Sequence, residues 1–405
     1  HRAFELMTER REQLAELIVL ENGKALTDAC GEVAYAAEFF RWFSEETVRV
    51  GGEYRLAPGG DKRIVTVPEP VGVSVLITPW NFPAAMATRK IAPALAAGCT
   101  VVLKPAPETP LSALSVADVL ERAGVPAGVV NVVLPEPAGQ PVAEMLADPR
   151  VRCLSFTGST QVGRLLLHAC ADTVVRTSME LGGNAPFVVL EDADVAAAVE
   201  GAMVAKMRNG GSACTAANRF YVHRSVAEDF TARLTARMAA IRTGVGVAPG
   251  VELGALVSDA ERDKVLDLVS GALEEGAVRT TPSPDLPTGA FVAPTVLGSV
   301  PADAAILRTE IFGPVAAVVV VDGEDEAVHL ANDTEAGLIA YVYAEEAHGI
   351  RVAGRLEAGM VAVNRGVVSD PAAPFGGTKQ SGLGREGGFE GIHEFLETKY
   401  IAVGV

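Results

Sequence analysis

Short apolar runs alternate with segments of helical period along most of this chain, and that alternation is the tightest constraint on its fold. Residues 71–77 (VGVSVLI), 100–104 (TVVLK), 128–134 (GVVNVVL) and 151–156 (VRCLSF) read as strands. Helical patterns follow them near 84–97, 111–123 and 139–147, and from 159 onward. Strands of this kind, separated by helices, belong to parallel sheets covered on both faces. A second series starts at 186–192 (PFVVLED) and runs through helices near 194–208 and 225–241 to strands at 316–321, 340–344 and 359–364. The expected fold class is therefore α/β, with two parallel-sheet units and a cleft between them. Outside this alternation, 3–21 and 31–49 read as amphipathic helices and 62–67 as a strand. The tail 398–405 is a strand with nothing after it, expected to pair with a distant segment or with another chain.

Composition narrows the function classes. The chain has 405 residues, 49% of them hydrophobic, and a net charge of −17 with no Lys/Arg-rich run. That balance argues against nucleic acid and anionic membrane surfaces as partners. No apolar run reaches the roughly 18 residues of a membrane helix, and no signal peptide is evident. The cysteines, Cys30, Cys99, Cys153, Cys170 and Cys214, are odd in number, widely spaced and free of any CxxC. A disulfide framework and a zinc site are disfavoured, and a reducing cytoplasm is the default. The sequence opens at His1 inside a helical pattern, so a preceding segment is expected.

Polar residues gather where the strands end. In 208–222 (RNGGSACTAANRFYV), Cys214 is open to four readings: buried small residue, disulfide half, metal ligand or nucleophile. In 77–83 (ITPWNFP), Asn81 follows a buried strand, at the edge where parallel sheets bind ligands. Its amide either bonds its own backbone or stabilises a developing oxyanion. Lys104 sits at a matching strand end, as a solvated charge or a partner for ribose and phosphate. In 156–163 (FTGSTQVG), Gly158 and Ser159 open a helix whose free N–H groups attract phosphate, although Ser159 and Thr160 also suit plain capping. Glu180 precedes two glycines and reads as an ion-pair partner or as a partly desolvated general base. Residues 310–315 (EIFGPV) and 374–386 (PFGGTKQSGLGRE) add further Gly/Pro-punctuated turns.

Taken in order, Asn81, Lys104, Gly158-Ser159, Glu180, Cys214, Glu310-Phe312 and the PFGG segment resemble the NAD(P)-dependent aldehyde dehydrogenase superfamily over essentially the whole chain. The resemblance implies a Rossmann-like cofactor domain of 1–51 and 71–182, lacking its first part. It also implies a catalytic domain of 183–378, oligomerisation strands at 52–70 and 396–405, a return to the cofactor domain at 379–395, and a homodimer or homotetramer. Cys214 is then the nucleophile, Asn81 and the Cys214 N–H the oxyanion donors, and Glu180 the base that activates water. Thr78, Pro79, Trp80, Lys104, Gly158, Ser159, Glu310 and Phe312 fall on the cofactor side. Where NAD-selective members carry a glutamate that grips the ribose 2′-hydroxyl, this chain has Pro107, so NADP is expected to serve at least as well as NAD. Ser212 replaces the family's usual glutamine. Ala216 stands where some relatives have a second cysteine, so their redox-switch disulfide is expected to be absent.

Within the superfamily, the segments around Asn81 and Gly158 look closest to succinate-semialdehyde dehydrogenases. Those enzymes place two arginines and a serine where this chain has Arg89, Arg208 and Ser369, to hold the distal carboxylate. Arginine's planar fork suits a carboxylate. The plainer reading has Arg89 paired with an acid and Arg208 capping its helix. Arg365 departs from the family's usual residue and is a candidate for charge at the pocket mouth. Glutarate semialdehyde, one methylene longer, fits the same arginines, because a methylene discriminates by only about 1–3 kcal/mol. A cofactor-independent cysteine thioesterase or acyltransferase, an enzyme for uncharged aldehydes, and an inert structural relative are the alternatives.

Overall fold

The computed structural model describes residues 1–405. Two sheets organise it. The first has six strands in the order Gly382–Leu383, Arg176–Glu180, Val151–Thr157, Val73–Ile77, Val101–Lys104 and Val130–Val132. The second has seven: Val278–Arg279, Thr295–Gly298, Val315–Val321, Ala217–His223, Ala185–Val189, Ile339–Tyr343 and Met360–Val363. Every pairing is parallel except one at an edge of each sheet. The α/β expectation holds, and the reason is visible in the cores. Successive strand residues face opposite ways: Leu76 joins one cluster and its neighbours Val75 and Ile77 another. In the second sheet, Val188 packs on one face and Phe187 and Val189 on the other. Both faces are apolar, so the strands read as continuous runs.

Local differences from the sequence reading have physical causes. The helix expected over 3–21 is two, Arg2–Glu9 and Arg11–Asn22, broken at Arg10 (φ −102°, ψ 16°). The Arg10 side chain is drawn to Asp118 at 2.7 Å. The expected strand 128–134 shrinks to Val130–Val132 at the sheet edge, where it has one neighbour. The helix expected over 31–49 starts earlier and spans Leu26–Glu46. The tail strand, Leu396–Gly404, pairs antiparallel with Lys62–Pro70 of the same chain, and Tyr54–Leu56 completes a separate three-stranded sheet. No helix is long and apolar enough to cross a membrane.

Strand register fixes the functional edge. Ile77 lies beside Lys104 and Phe156, and Thr157 beside Glu180. Four strands of the first sheet therefore end level, with Thr78, Lys104, Gly158 and Glu180 in a row. The second sheet turns the opposite edge toward them. Cys214 precedes the strand Ala217–His223, and Glu310 and Phe312 precede Val315–Val321.

Candidate active site

Between these edges lies a cavity of about 360 Å³. Thr78, Pro79, Trp80, Asn81, Arg89, Lys104, Pro107, Gly158, Ser159, Arg208, Cys214, Glu310, Phe312 and Ser369 all line it. Glu180 does not; it is buried behind the wall. Arg365 is exposed and not part of the lining, and its charge acts on the Tyr343 hydroxyl. Tyr35, Phe82 and Phe375 also line the cavity. Tyr35 sits mid-helix with no motif around it, so nothing short of the tertiary fold would have found it.

The Cys214 loop is shaped by left-handed backbone. Asn209, Gly210 and Gly211 have φ of 56°, 60° and 77°, a run that glycine makes accessible. Asn209 holds its place by donating from Nδ2 to the carbonyls of Asn81 (2.9 Å) and Ser212 (2.8 Å). Gly183 allows close packing against the loop, since a Cβ there would stand 2.4 Å from the Cys214 carbonyl. The Cys214 backbone N–H donates to no protein acceptor. The Asn81 amide is aimed from the facing sheet, with Nδ2 donating to the Ser212 carbonyl at 3.1 Å. The Cys214 N–H is thus unpaired, and the Asn81 amide reaches the loop that carries the thiol.

Charge around the thiol is mixed. Burial pushes the Cys214 pKa up, to about 12, and Glu180 and Glu310 add to the rise, while Arg89 and Arg208 oppose it. The resting group is the thiol, and its proton needs an acceptor. Burial also holds the Glu180 carboxyl well above the usual range, with Glu386 reinforcing the effect and Arg89 and Lys90 countering it. Neither Glu180 carboxylate oxygen has a hydrogen-bond partner. Because the thiolate fraction grows tenfold per pH unit below a raised pKa, alkylation of the free enzyme by iodoacetamide should climb steadily between pH 7 and 10. A plateau near neutral pH would contradict this.

The two arginines differ. Arg89 is buried and pairs through Nε with Glu386, which also binds Lys90. Its Cζ lies 4.1 Å from the Phe375 ring centre, and its Nη2 has no partner. The acid-pairing reading therefore holds for one side of the guanidinium, while the buried Nη2 on the other side has no acid partner. Arg208 has no acid within ion-pair range. It lies over the rings of Phe82 (5.0 Å) and Tyr35 (5.8 Å), as weakly hydrated guanidinium groups do.

The remaining wall suits a dinucleotide. Ser159 caps the helix Thr160–Ala171, its hydroxyl accepting from Val162 N–H at 3.3 Å. The N–H groups of Thr160 and Gln161 stay free, the usual anion site of a helix start. Lys104 is half-buried, its pKa lowered by burial, and forms no ion pair. Glu310 accepts from Gly183 N–H at 3.2 Å, and burial lifts its pKa to about 7. The Thr78 hydroxyl is buried without a partner. Trp80 and Phe312 meet edge to face at 5.4 Å.

Fold and cleft define a class: two-domain α/β enzymes that act on small molecules between facing sheet edges. The chain belongs to the aldehyde dehydrogenase family, whose model matches residues 1–401, and it is an NAD(P)-dependent oxidoreductase of that family. A succinate-semialdehyde dehydrogenase of Paenarthrobacter nicotinovorans is 55% identical over 99% of this chain and 90% of its own length. A glutarate-semialdehyde dehydrogenase of Pseudomonas aeruginosa is 48% identical over 100% of this chain and 84% of its own. The crystal structure of an E. coli NADP-dependent enzyme superposes with a TM-score of 0.97 at 47% identity, covering 100% of this chain and 84% of that one.

Proposed function

We propose that this chain oxidises succinate semialdehyde to succinate with NADP or NAD, Cys214 being the nucleophile. One observation carries the reading: Arg208 and Arg89 line the same cavity as the Cys214 thiol. Ser369 lines it too and supplies a hydroxyl for the distal carboxylate. With that carboxylate held, the aldehyde carbon meets the sulfur. Glu180 takes the thiol proton as the C–S bond forms. The Cys214 N–H and Asn81 Nδ2 receive the oxyanion of the thiohemiacetal. The nicotinamide, when bound, supplies the hydride acceptor that converts this adduct to a thioester. Glu180 releases the thiol proton to solvent and, as a carboxylate again, takes one from water while the water oxygen adds to the thioester carbonyl. The C–S bond then breaks, the thiolate leaves and succinate departs. The test is reduced-nicotinamide absorbance with succinate semialdehyde against uncharged aldehydes of similar length. Equal kcat/KM for both would sink the substrate assignment. Glutarate semialdehyde is the second reading, favoured by the same arginines and by the Pseudomonas relative's name.

On the cofactor side, Lys104 and Glu310 hold ribose hydroxyls, and Gly158, Ser159 and the helix start after them hold the pyrophosphate. Thr78, Pro79, Trp80 and Phe312 form the walls. Pro107 presents no carboxylate against a 2′-phosphate, so NADP serves at least as well as NAD. Installing one by Pro107→Glu should raise the KM for NADP about tenfold or more, through like-charge repulsion, and leave NAD nearly unchanged. An unchanged NADP KM would contradict this placement.

The cofactor domain comprises 1–51 and 71–182 with a return at 379–395, and the catalytic domain 183–378. Support comes from the core that helices Arg2–Glu9, Arg11–Asn22 and Leu26–Glu46 share with the first sheet. The chain acts as a homodimer or homotetramer. The strand Leu396–Gly404 is a free sheet edge with Tyr400, Ile401 and Val403 exposed, which suits pairing with a second copy. Five unpaired cysteines are in keeping with the cytoplasm.

A further inference from the structure

Away from the cleft, the turn and helix at 22–32 carry a buried charged stripe that the chemistry above does not use. Lys24 and Glu32 are an ion pair at 2.7 Å, both almost fully buried. Each also reaches a loop of the site. Lys24 Nζ donates to the Asn81 carbonyl at 2.6 Å and lies 4.6 Å from the Phe82 ring centre. Glu32 Oε1 accepts from the N–H groups of Ala84 (2.9 Å) and Ala85 (3.3 Å). Those two N–H groups belong to the first turn of the helix Pro83–Ala97, whose own cap residue, Phe82, provides no side-chain acceptor. A carboxylate from another helix thus does the capping, where helix ends favour negative charge. Asn22 adds a hydrogen bond from Nδ2 to the Trp80 carbonyl at 2.9 Å. One turn before Glu32, Asp28 faces the Asn209 N–H and Arg208 of the nucleophile loop, and burial raises its pKa.

We infer that Lys24 and Glu32, assisted by Asp28, are positioning residues that set the Asn81 amide against the Cys214 loop. The stripe grips the backbone on both sides of Asn81, at Trp80 and Ala84, as well as the Asn81 carbonyl itself. Asn209 also donates to that carbonyl, so the two loops share one anchor point. A buried ion pair adds little net stability over an apolar pair of the same volume. Directional contacts on a loop that must hold a donor in place account better for its presence here. The inference rests on Asn81 being the oxyanion donor.

The test uses the full chain with Lys24→Met and Glu32→Gln, each alone and combined with Asn81→Ala. Two reactions of Cys214 are compared. Iodoacetamide alkylation forms no oxyanion, whereas hydrolysis of p-nitrophenyl acetate does. Esterolysis should fall about 10- to 100-fold in each single variant, the size of effect that misplacing a group causes, with alkylation within about threefold of wild type. In the Asn81→Ala background, the same changes should cost less than about threefold, because the amide they position is gone. Lys24→Arg should restore most of the loss. Equal losses in both backgrounds, or alkylation falling in step with esterolysis, would overturn the inference. So would unchanged esterolysis in Asn81→Ala. Glu32→Gln keeps an acceptor for Ala84 and Ala85, so it provides a folded variant if Lys24→Met does not. Neither reaction uses a semialdehyde or a nicotinamide, so failure of the substrate assignment leaves this test intact.

Discussion

Cys214→Ala should abolish aldehyde-dependent nicotinamide reduction, lowering kcat by about 10⁴-fold or more, as loss of a nucleophile does in covalent catalysis. Stability should change little. Cys214 lies in a loop and packs in none of the apolar clusters. The other four cysteines cannot substitute. Cys99, Cys153 and Cys170 are buried, and none of the four lines the cavity. Cofactor binding, followed by quenching of tryptophan fluorescence as the dinucleotide meets Trp80, should survive. A variant that keeps more than a few per cent of wild-type turnover would remove the covalent mechanism.

The second large effect is one of specificity. Arg208→Ala should lower kcat/KM for succinate semialdehyde about 100-fold, the usual cost of stripping a desolvated charge from its partner. Butanal, which carries no carboxylate, should change by less than about threefold. Arg208 is the cleaner target because it forms no ion pair, and Asp28, which faces it, keeps Lys24 as its larger opposing charge. Arg89 is different: removing it leaves Glu386 with Lys90 as its one ion-pair partner, and breaking a buried pair costs about 3–5 kcal/mol of stability. Arg89→Ala would therefore confuse unfolding with lost binding. Equal losses for both aldehydes in Arg208→Ala would mean that Arg208 supports the loop and not the substrate.

The chain's edge motifs were legible because each one is local. A strand ends, a glycine or proline breaks the pattern, and a polar residue stands at the break. Asn81, Lys104, Gly158-Ser159 and Glu180 all follow that rule, and register then aligns them. Contacts across long sequence separations were not legible. Nothing near Arg89 announces Glu386, and nothing near Asn81 announces Lys24 or Glu32. Elements with polar outer faces were also passed over. The helices Asp259–Glu274 and Glu324–Asn332 cover the second sheet with few buried residues each, so their apolar pattern is thin. The break at Arg10 and the shortened edge strand at 130–132 show neighbours overriding local pattern.

The most direct test of the account is the mass of the Cys214 peptide from enzyme quenched in acid during turnover of succinate semialdehyde with NADP. A succinyl group on Cys214, and on no other cysteine, is the predicted result, because the thioester joins the nucleophile, the oxidation and the substrate in one species. Turnover with the adduct on a different residue, or turnover that persists in Cys214→Ala with no adduct at all, would contradict it.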